Sequence, residues 1–441
     1  MLADHALHTR STVRREQAPF GSRTEGAIQA HEMPTTKPDA PDLDLRSPAN
    51  LRDPYPVHRE LRDHDPVHWS EGLQGWIVTR YADVLEVFNR PTRFSSERFR
   101  KLAPRFRSDR PEVHAVASVL SDWLVFRDPP DHTRLRDLLQ KTFTPRHLEK
   151  NRDGIQITID SLLDRAAGRG EMDFIRDFAF PLPAIVIAIL LGAPKDDIED
   201  IKLWSDRLAA HVGGAVDGRD NFSEAKAGLD ELVGYFRTLL AQRSRRSGDD
   251  LMSLLLRAEH EGERLSEEEV ISNCVLLLFA GHETTTNLLG NGLFHLLRDP
   301  ERERELRAQP QLVGRAVEEF LRIECPVAAT IKVALEDFEW HGARIQRGER
   351  LIPFMASANR DPRQFERPDS LDIARHPNRH LTFGYGIHFC LGAPLARLEA
   401  QLAFDTLLRR FPHLLLSDPE PRWKPQVFMR GLETLPLRLQ A

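Results

Sequence analysis

The stretch FGYGIHFCLG, residues 383–392, decides how the rest of the sequence is interpreted. Its glycines permit tight turns and a close approach of the backbone to Cys390. Amide N–H groups of such a loop can point at the sulfur, and the helix predicted from Ala393 onward adds the positive end of its dipole. Both effects favour a thiolate, which binds soft metals. A lone cysteine is ordinarily a small buried hydrophobic residue, but this glycine-rich setting favours a metal ligand.

A long helix is predicted upstream, between Ser266 and Arg298. Ser266 and Glu269 have the spacing of a capping box, and an Asp-Pro pair follows the last turn. The middle of this helix, AGHETTT at 280–286, contains a glycine, an acid and three threonines inside an apolar segment, and each of these weakens a helix. Poor helix formers in the middle of an otherwise regular helix indicate a functional site.

The composition is that of an ordinary folded protein. The 441 residues are 41% hydrophobic and 29% charged with a formal net charge of -6, so the charge balance does not favour a nucleic-acid partner. Three cysteines are too few for a disulfide framework or a four-cysteine metal site. The apolar runs are shorter than the roughly 20 residues of a spanning helix, and no secretory signal is visible, so no membrane anchor is predicted. We expect a cytoplasmic protein.

Helical segments predominate, and the β-structure is brief. Residues 1–45 are polar and end in a proline-rich stretch, which predicts a disordered or loosely attached tail before a single domain at 46–441. A β-hairpin is predicted at 66–80, a short helix at 81–89 and further strands near 335–354. The predicted fold class is therefore mainly α with small β-sheets.

Several motifs, taken together, resemble those of one known family. The FGYGIHFCLG stretch resembles the haem-binding loop of the cytochrome P-450 family, and AGHETT at 280–285 resembles the oxygen-activation segment of its long central helix. EFLR at 319–322 matches the Glu-x-x-Arg motif, and ANRDP at 358–362 and DIAR at 372–375 resemble the segments that lead to the haem loop. The motifs stand in the family's order, and the resemblance covers about residues 50–440. It implies a cytochrome P-450 fold, a single haem domain with a long central helix.

The resemblance implies haem b, an iron protoporphyrin IX, as the cofactor, with Cys390 as the axial thiolate ligand of the metal. It also implies contacts between the cofactor and residues of the haem loop and the central helix, namely Phe383, Gly384, Gly386, Gly392 and Ala280. Cys274 and Cys325 then have no ligand role and are expected to be inert buried thiols.

Haem carries two propionates, which require cations on the protein. In the segment that begins at Asp128, a candidate N-cap, His132 and Arg136 lie one helical turn apart and can clamp a propionate. The resemblance implies further contacts from His388 and from Lys332, where the family usually has arginine. Lysine supplies charge without the planar fork of arginine, and Lys332 can alternatively point to solvent.

The resemblance assigns the distal chemistry to Thr284 and Glu283. Thr284 would hydrogen-bond dioxygen at the haem or an ordered water, and Glu283 would relay protons from the surface. The alternative is that the threonine only fills the helix and that the acid lies on a solvated face. The family pattern makes Glu319, Arg322 and Arg375 a buried ion network that braces the haem loop and does not react.

The implied activity is that of a haem-thiolate monooxygenase, which inserts one oxygen atom of O2 into a mainly apolar small molecule by hydroxylation or epoxidation. The family pattern places substrate contacts at 94–125, near Leu277 and Ala280, at 327–331 and at 429–432. The first segment is basic, so it can receive a substrate carboxylate or simply be solvated. Its basic residues are Arg98, Arg100, Lys101, Arg105, Arg107 and Arg110.

Electrons are expected from a separate ferredoxin with its ferredoxin reductase, or from a flavodoxin, because the sequence has no flavin or iron–sulfur motif. Basic residues in segments that the family places on the cysteine side can dock an acidic carrier, or can belong to a scattered solvated surface. These residues are Arg134, Lys141, Arg146, Arg379 and Arg397.

Three other functions stay open. A peroxide-driven peroxygenase is disfavoured by the Glu283–Thr284 pair, because that chemistry does not need protons for dioxygen. A non-catalytic haem carrier or sensor is disfavoured but not excluded. A zinc or thiol site built from Cys390, His388 and His380 lacks a fourth ligand and explains none of the other motifs.

Overall fold

Helices make up most of the described chain, which confirms the predicted class. The computed structural model describes residues 43–102, 111–141, 143, 149–212, 222–243, 248–260, 262–420 and 422–440. In chain order the helices are α1 (Pro48–Arg52), α2 (Tyr55–His64), α3 (Tyr81–Asn89), α4 (Arg98–Lys101), α5 (Pro111–Leu120), α6 (Asp131–Gln140), α7 (Arg152–Ala167), α8 (Pro181–Leu190), α9 (Ile198–Val212), α10 (Phe222–Arg243), α11 (Leu251–Arg257), α12 (Glu267–Leu297), α13 (Pro300–Ala308), α14 (Val313–Ile323), α15 (Met355–Ala358) and α16 (Ala393–Arg410).

The strands are short, as the sequence predicted. They are β1 (Val67–Ser70), β2 (Gly75–Val78), β3 (Phe94–Ser95), β4 (Glu171–Asp173), β5 (Glu259–His260), β6 (Glu263–Arg264), β7 (Lys332–Ala334), β8 (Phe338–Trp340), β9 (Ala343–Ile345), β10 (Arg350–Pro353), β11 (His413–Leu416) and β12 (Pro436–Gln440). Within the described residues the largest sheet has the order β1-β2-β10-β7-β3, with β2 and β10 parallel and the other pairs antiparallel. The hairpin β1–β2 and helix α3 lie where the sequence predicted them.

The central helix, α12, begins as its sequence predicts. The Ser266 hydroxyl accepts the Glu269 N–H at 3.2 Å, and the Glu269 carboxylate accepts the Ser266 N–H at 2.9 Å. Together these two bonds form the capping box. Helices α8, α10, α14 and α16 pack against α12, which is therefore buried along most of its length. A Cβ on Gly292 would lie 2.9 Å from the rings of Phe320 and Phe404, so glycine allows α14 and α16 to approach closely.

Helix α6 begins later than the sequence predicted. Its first residue is Asp131, and the preceding Pro130 makes no side-chain cap. The predicted N-cap at Asp128 is wrong, because tertiary contacts occupy its carboxylate. That carboxylate accepts the Ser95 hydroxyl, the Ser96 N–H at 2.9 Å and the Lys101 ammonium at 2.8 Å.

Some predictions fall on parts of the chain that are not described. The chain divides into two units, 1–38 and 39–441, and all described residues belong to the second. Most of the predicted tail, 1–42, lies outside the described residues, so the boundary near 45 stays a prediction. The same holds for Arg105, Arg107, Arg110 and Arg146. Among the helices that are described, none has the length and apolar character needed to cross a membrane.

Candidate functional site

The loop before α16 depends on two glycines. Gly384 and Gly386 both have φ of 68°, a left-handed conformation that favours glycine. A Cβ on Gly386 would also lie 3.1 Å from the carbonyl oxygen of Phe88. The loop closes where the Cys390 N–H donates to the Phe383 carbonyl at 2.8 Å. These features fix the position of Cys390 just before α16.

The sulfur of Cys390 is half-buried and accepts backbone hydrogen bonds. Burial raises the pKa of this thiol. The N–H groups of Gly392 and Ala393 and the guanidinium of Arg136 lower the pKa without fully offsetting burial. The lowering by these N–H groups agrees with the prediction that amides point at this sulfur. A bound metal ion would deprotonate the thiol outright.

A group of basic side chains lies beside this loop. The rings of His132 and His388 are 4.2 Å apart, and His388 Nε2 lies 2.9 Å from the Ser96 hydroxyl. The ammonium of Lys332 donates to the same hydroxyl, so the alternative that Lys332 points to solvent is wrong. His132 is 2% exposed, and neither of its ring nitrogens has a partner among the described residues.

The electrostatics of this group show a shortage of negative charge. Burial lowers the pKa of His132 to about 4, with Arg136 and Lys332 contributing, and burial lowers the pKa of Lys332 to about 8. Burial also lowers the pKa of Arg136. Asp128 lies nearby, but its carboxylate already bonds to Lys101. Such a group of cations is suited to a ligand that carries carboxylates.

Arg98 joins these cations, and the sequence interpretation missed this. Its guanidinium lies 4.2 Å from the centre of the Phe126 ring, and burial, with the neighbouring charge of Arg350, lowers its pKa to about 10. Its charge also lowers the pKa of Lys332. The sequence placed Arg98 only in a basic substrate loop. No sequence signal indicated it, because Arg98 approaches Lys332 through the pairing of β3 with β7, which are far apart in sequence.

The other described members of the basic segment are paired. Lys101 bridges Glu97 at 3.1 Å and Asp128 at 2.8 Å. Arg100 lies 3.6 Å from Asp122. These pairs leave Arg98 as the described cation of this segment that has no carboxylate partner. Lys101 and Arg100 are thus engaged by carboxylates of the chain itself, and a carboxylate site in the described part of this segment depends on Arg98.

The middle of α12 carries the second part of the candidate site. Ala280 is exposed and Thr284 is half-buried, although the helix is buried on both sides of them. The Thr284 hydroxyl donates to the Ala280 carbonyl at 2.9 Å. Its hydrogen is thereby used, and the oxygen keeps lone pairs that can accept a bond from a ligand or water. Thr286 donates to His282 in the same way, at 2.9 Å, but is fully buried.

Glu283 is buried and paired. Its Oε1 accepts the Lys424 ammonium at 2.7 Å and the Asn287 amide at 3.4 Å. Burial alone would raise the pKa of Glu283, but the charges of Lys424 and His282 outweigh it and hold the pKa below its usual value. The solvated-face alternative for Glu283 is therefore wrong. No sequence signal indicated Lys424, which stands 141 positions away and belongs to no motif.

Aromatic contacts connect the two parts of the site. The ring of Phe279, next to Ala280, lies 5.7 Å from Trp123, and Trp123 stacks on Phe126 at 6.0 Å. The Arg98 guanidinium in turn lies over the ring of Phe126. The middle of the central helix and the basic group thus border the same aromatic cluster.

The predicted bracing network is present. Arg322 donates to both carboxylate oxygens of Glu319 at 2.7 Å, and both residues are completely buried. Arg375 adds a contact to Glu319 at 3.1 Å. Helix α14 is thereby tied to the segment that precedes the cysteine loop.

The remaining thiols and His380 do not form a second site. Cys274 and Cys325 are completely buried, as predicted, and burial raises the pKa of both, which favours the inert thiol form. His380 Nε2 lies 3.1 Å from the Glu318 carboxylate. In the described part of the chain, no group of three or more histidine, cysteine or acidic residues could hold a metal ion.

The predicted carrier-docking residues are partly neutralised. Arg134 pairs with Glu269, and Arg397 pairs with Glu318 at 2.7 Å. Lys141 donates to the Glu259 carbonyl at 2.7 Å.

Two of the predicted substrate segments do meet, because Val327 forms an isolated β-bridge with Met429.

The chain is similar to a well-populated group of proteins. A family profile described as Cytochrome P450 matches residues 219–440. The biotin biosynthesis cytochrome P450 of Bacillus subtilis is 40% identical over 392 residues, which cover 88% of this chain and 97% of that protein. The crystal structure of P450BioI in complex with hexadec-9Z-enoic acid ligated acyl carrier protein has a TM-score of 0.82 and 38% identity, and covers 88% of this chain and 98% of that one. The crystal structure of CYP109E1 from Bacillus megaterium in complex with testosterone has a TM-score of 0.80 and 34% identity. The match covers 89% of this chain and 99% of that one.

Proposed function

Because the chain belongs to the cytochrome P450 family, we propose that it is a monooxygenase that acts on a mainly apolar small molecule with electrons from a separate redox partner. The family assignment makes it a P450 oxidoreductase, and its fold is the one that the resemblance implied. In the proposed reaction the substrate gains one oxygen atom of O2 and the other leaves as water. Two electrons and two protons are consumed for each product.

The family implies a haem with a cysteine thiolate ligand. We propose that Cys390 is this ligand and that His132, Arg136, Lys332 and His388 hold the propionates. The residues fit the group, because the buried ring nitrogens of His132 have no partner among the described residues, and the cations Arg136 and Lys332 lie close enough to lower its pKa. When bound, haem supplies dioxygen binding and electron transfer. Phe383, Gly384, Gly386, Gly392 and Ala280 keep their proposed contacts with it.

The observation that carries the proposal is the pair formed by the Thr284 hydroxyl, at the exposed turn of α12, and the buried, paired acid Glu283 next to it in sequence. The Thr284 oxygen can accept a hydrogen bond at the reaction site, because its own proton is bonded to Ala280. Glu283 is ionised beside it and can receive a proton from outside and pass it on. A peroxygenase would need neither group, so their arrangement favours the monooxygenase.

Relatives support the substrate class. One similar protein binds hexadec-9Z-enoic acid on an acyl carrier protein, and another binds testosterone. Both ligands are large and mainly apolar. The mainly apolar segment at 327–331 and Met429, which meet at the Val327–Met429 bridge, support a substrate of this kind here. A ferredoxin with its reductase, or a flavodoxin, is the proposed electron source.

The test compares Thr284→Ala with Thr286→Ala. Each substitution removes a hydroxyl bonded within the helix, but only Thr284 lies at the exposed turn. With a surrogate ferredoxin system and a compound that shifts the Soret band, we expect Thr284→Ala to lower product per electron at least about tenfold and to release hydrogen peroxide. Thr286→Ala should stay close to the parent protein.

Added peroxide separates the alternatives. Thr284→Ala should keep peroxide-supported product formation, because that route bypasses proton delivery to dioxygen. Product from the parent protein with peroxide but never with O2 and electrons would instead identify a peroxygenase. Absence of product under both conditions would favour the carrier or sensor, and unchanged coupling in Thr284→Ala would contradict the assigned role.

A further inference from the structure

The segment that follows β11 contains Lys424, whose side chain contacts Glu283 on the central helix. Two backbone contacts fix the position of Lys424. The preceding residue, Trp423, forms a β-bridge with Leu432, and the Lys424 N–H donates to the Gly431 carbonyl at 2.9 Å. Its side chain is 23% exposed, and that of Glu283 is 7% exposed, so the 2.7 Å pair is largely shielded from water. A shielded pair holds its geometry more strongly than a surface pair does.

The same segment is fixed against α12 at a second point. A Cβ on Gly431 would lie 2.0 Å from Asn287 Oδ1, so the backbone at Gly431 packs directly on the Asn287 side chain. Asn287 donates to the oxygen of Glu283 that also accepts Lys424. Both partners therefore hold the carboxylate in one orientation. That orientation is set by a segment remote in sequence.

We propose that Lys424 is a positioning residue, which holds Glu283 ionised and oriented and thereby sets how proton delivery at Thr284 depends on pH. The inference rests on the proposed function. The titratable groups around Glu283 are Lys424 from the C-terminal segment, His282 on α12 and Asp206 on α9, and Lys202 acts on Asp206 in turn. Of these, Lys424 makes the hydrogen bond to the carboxylate.

The consequence of removing Lys424 follows from burial. In Lys424→Met the carboxyl of Glu283 would keep its buried position and lose its closest cation, so its pKa should rise towards neutrality. A protonated carboxylic acid has an infrared carbonyl band that a carboxylate lacks. We expect this band at neutral pH in Lys424→Met, and we expect it to disappear in the double variant Lys424→Met/Glu283→Gln. Lys424→Arg should restore the ionised carboxylate.

Turnover supplies the second readout. Between pH about 6 and 8 the parent protein should show little change in product per electron, because Glu283 stays ionised. Lys424→Met should acquire a change of about threefold or more over this range, since its proton-relay acid now titrates there. Lys226→Met is the matched control, because Lys226 pairs with Asp230 on the exposed surface of α10. It should alter neither readout.

The outcomes separate this inference from the proposed function. Absence of a Glu283-dependent band in Lys424→Met would overturn the inference, and so would a band without any change in the pH profile. The Thr284→Ala comparison does not involve Lys424, and its failure would remove the monooxygenase assignment itself. If Thr284→Ala shows the expected uncoupling but Lys424→Met shows no Glu283-dependent band, the inference about Lys424 falls and the proposed function stays in place.

Discussion

A cysteine becomes a metal ligand only as a thiolate, and the surroundings of Cys390 act in both directions. Burial raises the pKa of the thiol, whereas the N–H groups of Gly392 and Ala393 and the charge of Arg136 lower it. The same hydrogen bonds would draw charge from a ligated sulfur and so tune the bound metal. The fold of the loop thus brings backbone N–H groups and a cation towards the sulfur that is the proposed ligand.

Ligation by Cys390 has a direct spectroscopic test. After reduction with dithionite and exposure to carbon monoxide, the protein should show the long-wavelength Soret band of thiolate-ligated haem. Cys390→His should move this band to the position typical of histidine ligation. Cys325→Ala is the control, because Cys325 is completely buried and donates to the Val327 carbonyl at 3.0 Å. A thiolate band retained in Cys390→His would contradict the assignment.

The motifs predicted which residues form the site, but they did not predict which side chains those residues contact. The motif around Cys390 implied thiolate chemistry, and the geometry of the loop agrees with it. Lys332 replaces an arginine, and no sequence rule showed that it would share the Ser96 hydroxyl with His388. Arg98 was missed as a member of the basic group for the same reason, because its position depends on pairing between strands far apart in sequence.

Helix α12 shows how strongly local signals determine an element. Its start was predictable because the capping box lies within four consecutive residues, from Ser266 to Glu269. Helix α6 was predicted less well, because a distant hydroxyl, amide and ammonium occupy the carboxylate of Asp128. A polar residue before a proline-led helix therefore caps it only when no tertiary partner competes.

The cap of α12 can be tested by substitution. Ser266→Ala removes the hydroxyl that accepts the Glu269 N–H, so we expect the free energy of unfolding to fall by about 1 kcal/mol. Ser272→Ala is the matched control, because the Ser272 hydroxyl is buried without a partner among the described residues. Removing it should be neutral or slightly stabilising. Thermal denaturation of both variants measures this, and equal destabilisation would contradict the capping role.

Contacts between distant segments explain what the sequence could not show about the whole molecule. The motifs predicted which elements exist and their order, whereas the Lys424–Glu283 pair joins positions with no common pattern. A second example is Glu324, at the end of α14, which no motif indicated. Such networks depend on the final packing of several elements.

Glu324 gathers groups from four other parts of the chain. Its carboxylate accepts the Tyr55 hydroxyl at 2.7 Å and the Arg430 guanidinium at 2.8 Å, and it lies 2.7 Å from His295 and 3.7 Å from Arg360. Burial alone would raise the pKa of Glu324, but Arg430, His295 and Arg360 hold it well below its usual value. The network therefore ties α2, α12, α14 and the C-terminal segment together.

Substitution of Glu324 should destabilise the molecule in a pH-dependent way. At pH 7 Glu324→Gln leaves Arg430 buried without its charge partner, so we expect a loss of roughly 3–5 kcal/mol in the free energy of unfolding. Because the folded-state pKa of Glu324 is depressed, its stabilisation is present above the unfolded pKa near 4.5 and is lost as the pH falls below that value. The parent and the variant should therefore converge in acid.

Denaturant unfolding at several pH values measures this difference. The control is Glu268→Gln, which breaks an exposed pair with Arg237 and should cost less than about 1 kcal/mol at any pH. A Glu324→Gln penalty that stays constant down to pH about 3 would show that shape, and not charge, is what the carboxylate supplies. Convergence in acid would instead show that an ionised Glu324 holds the distant segments together, because protonation alone then removes the advantage of the parent protein.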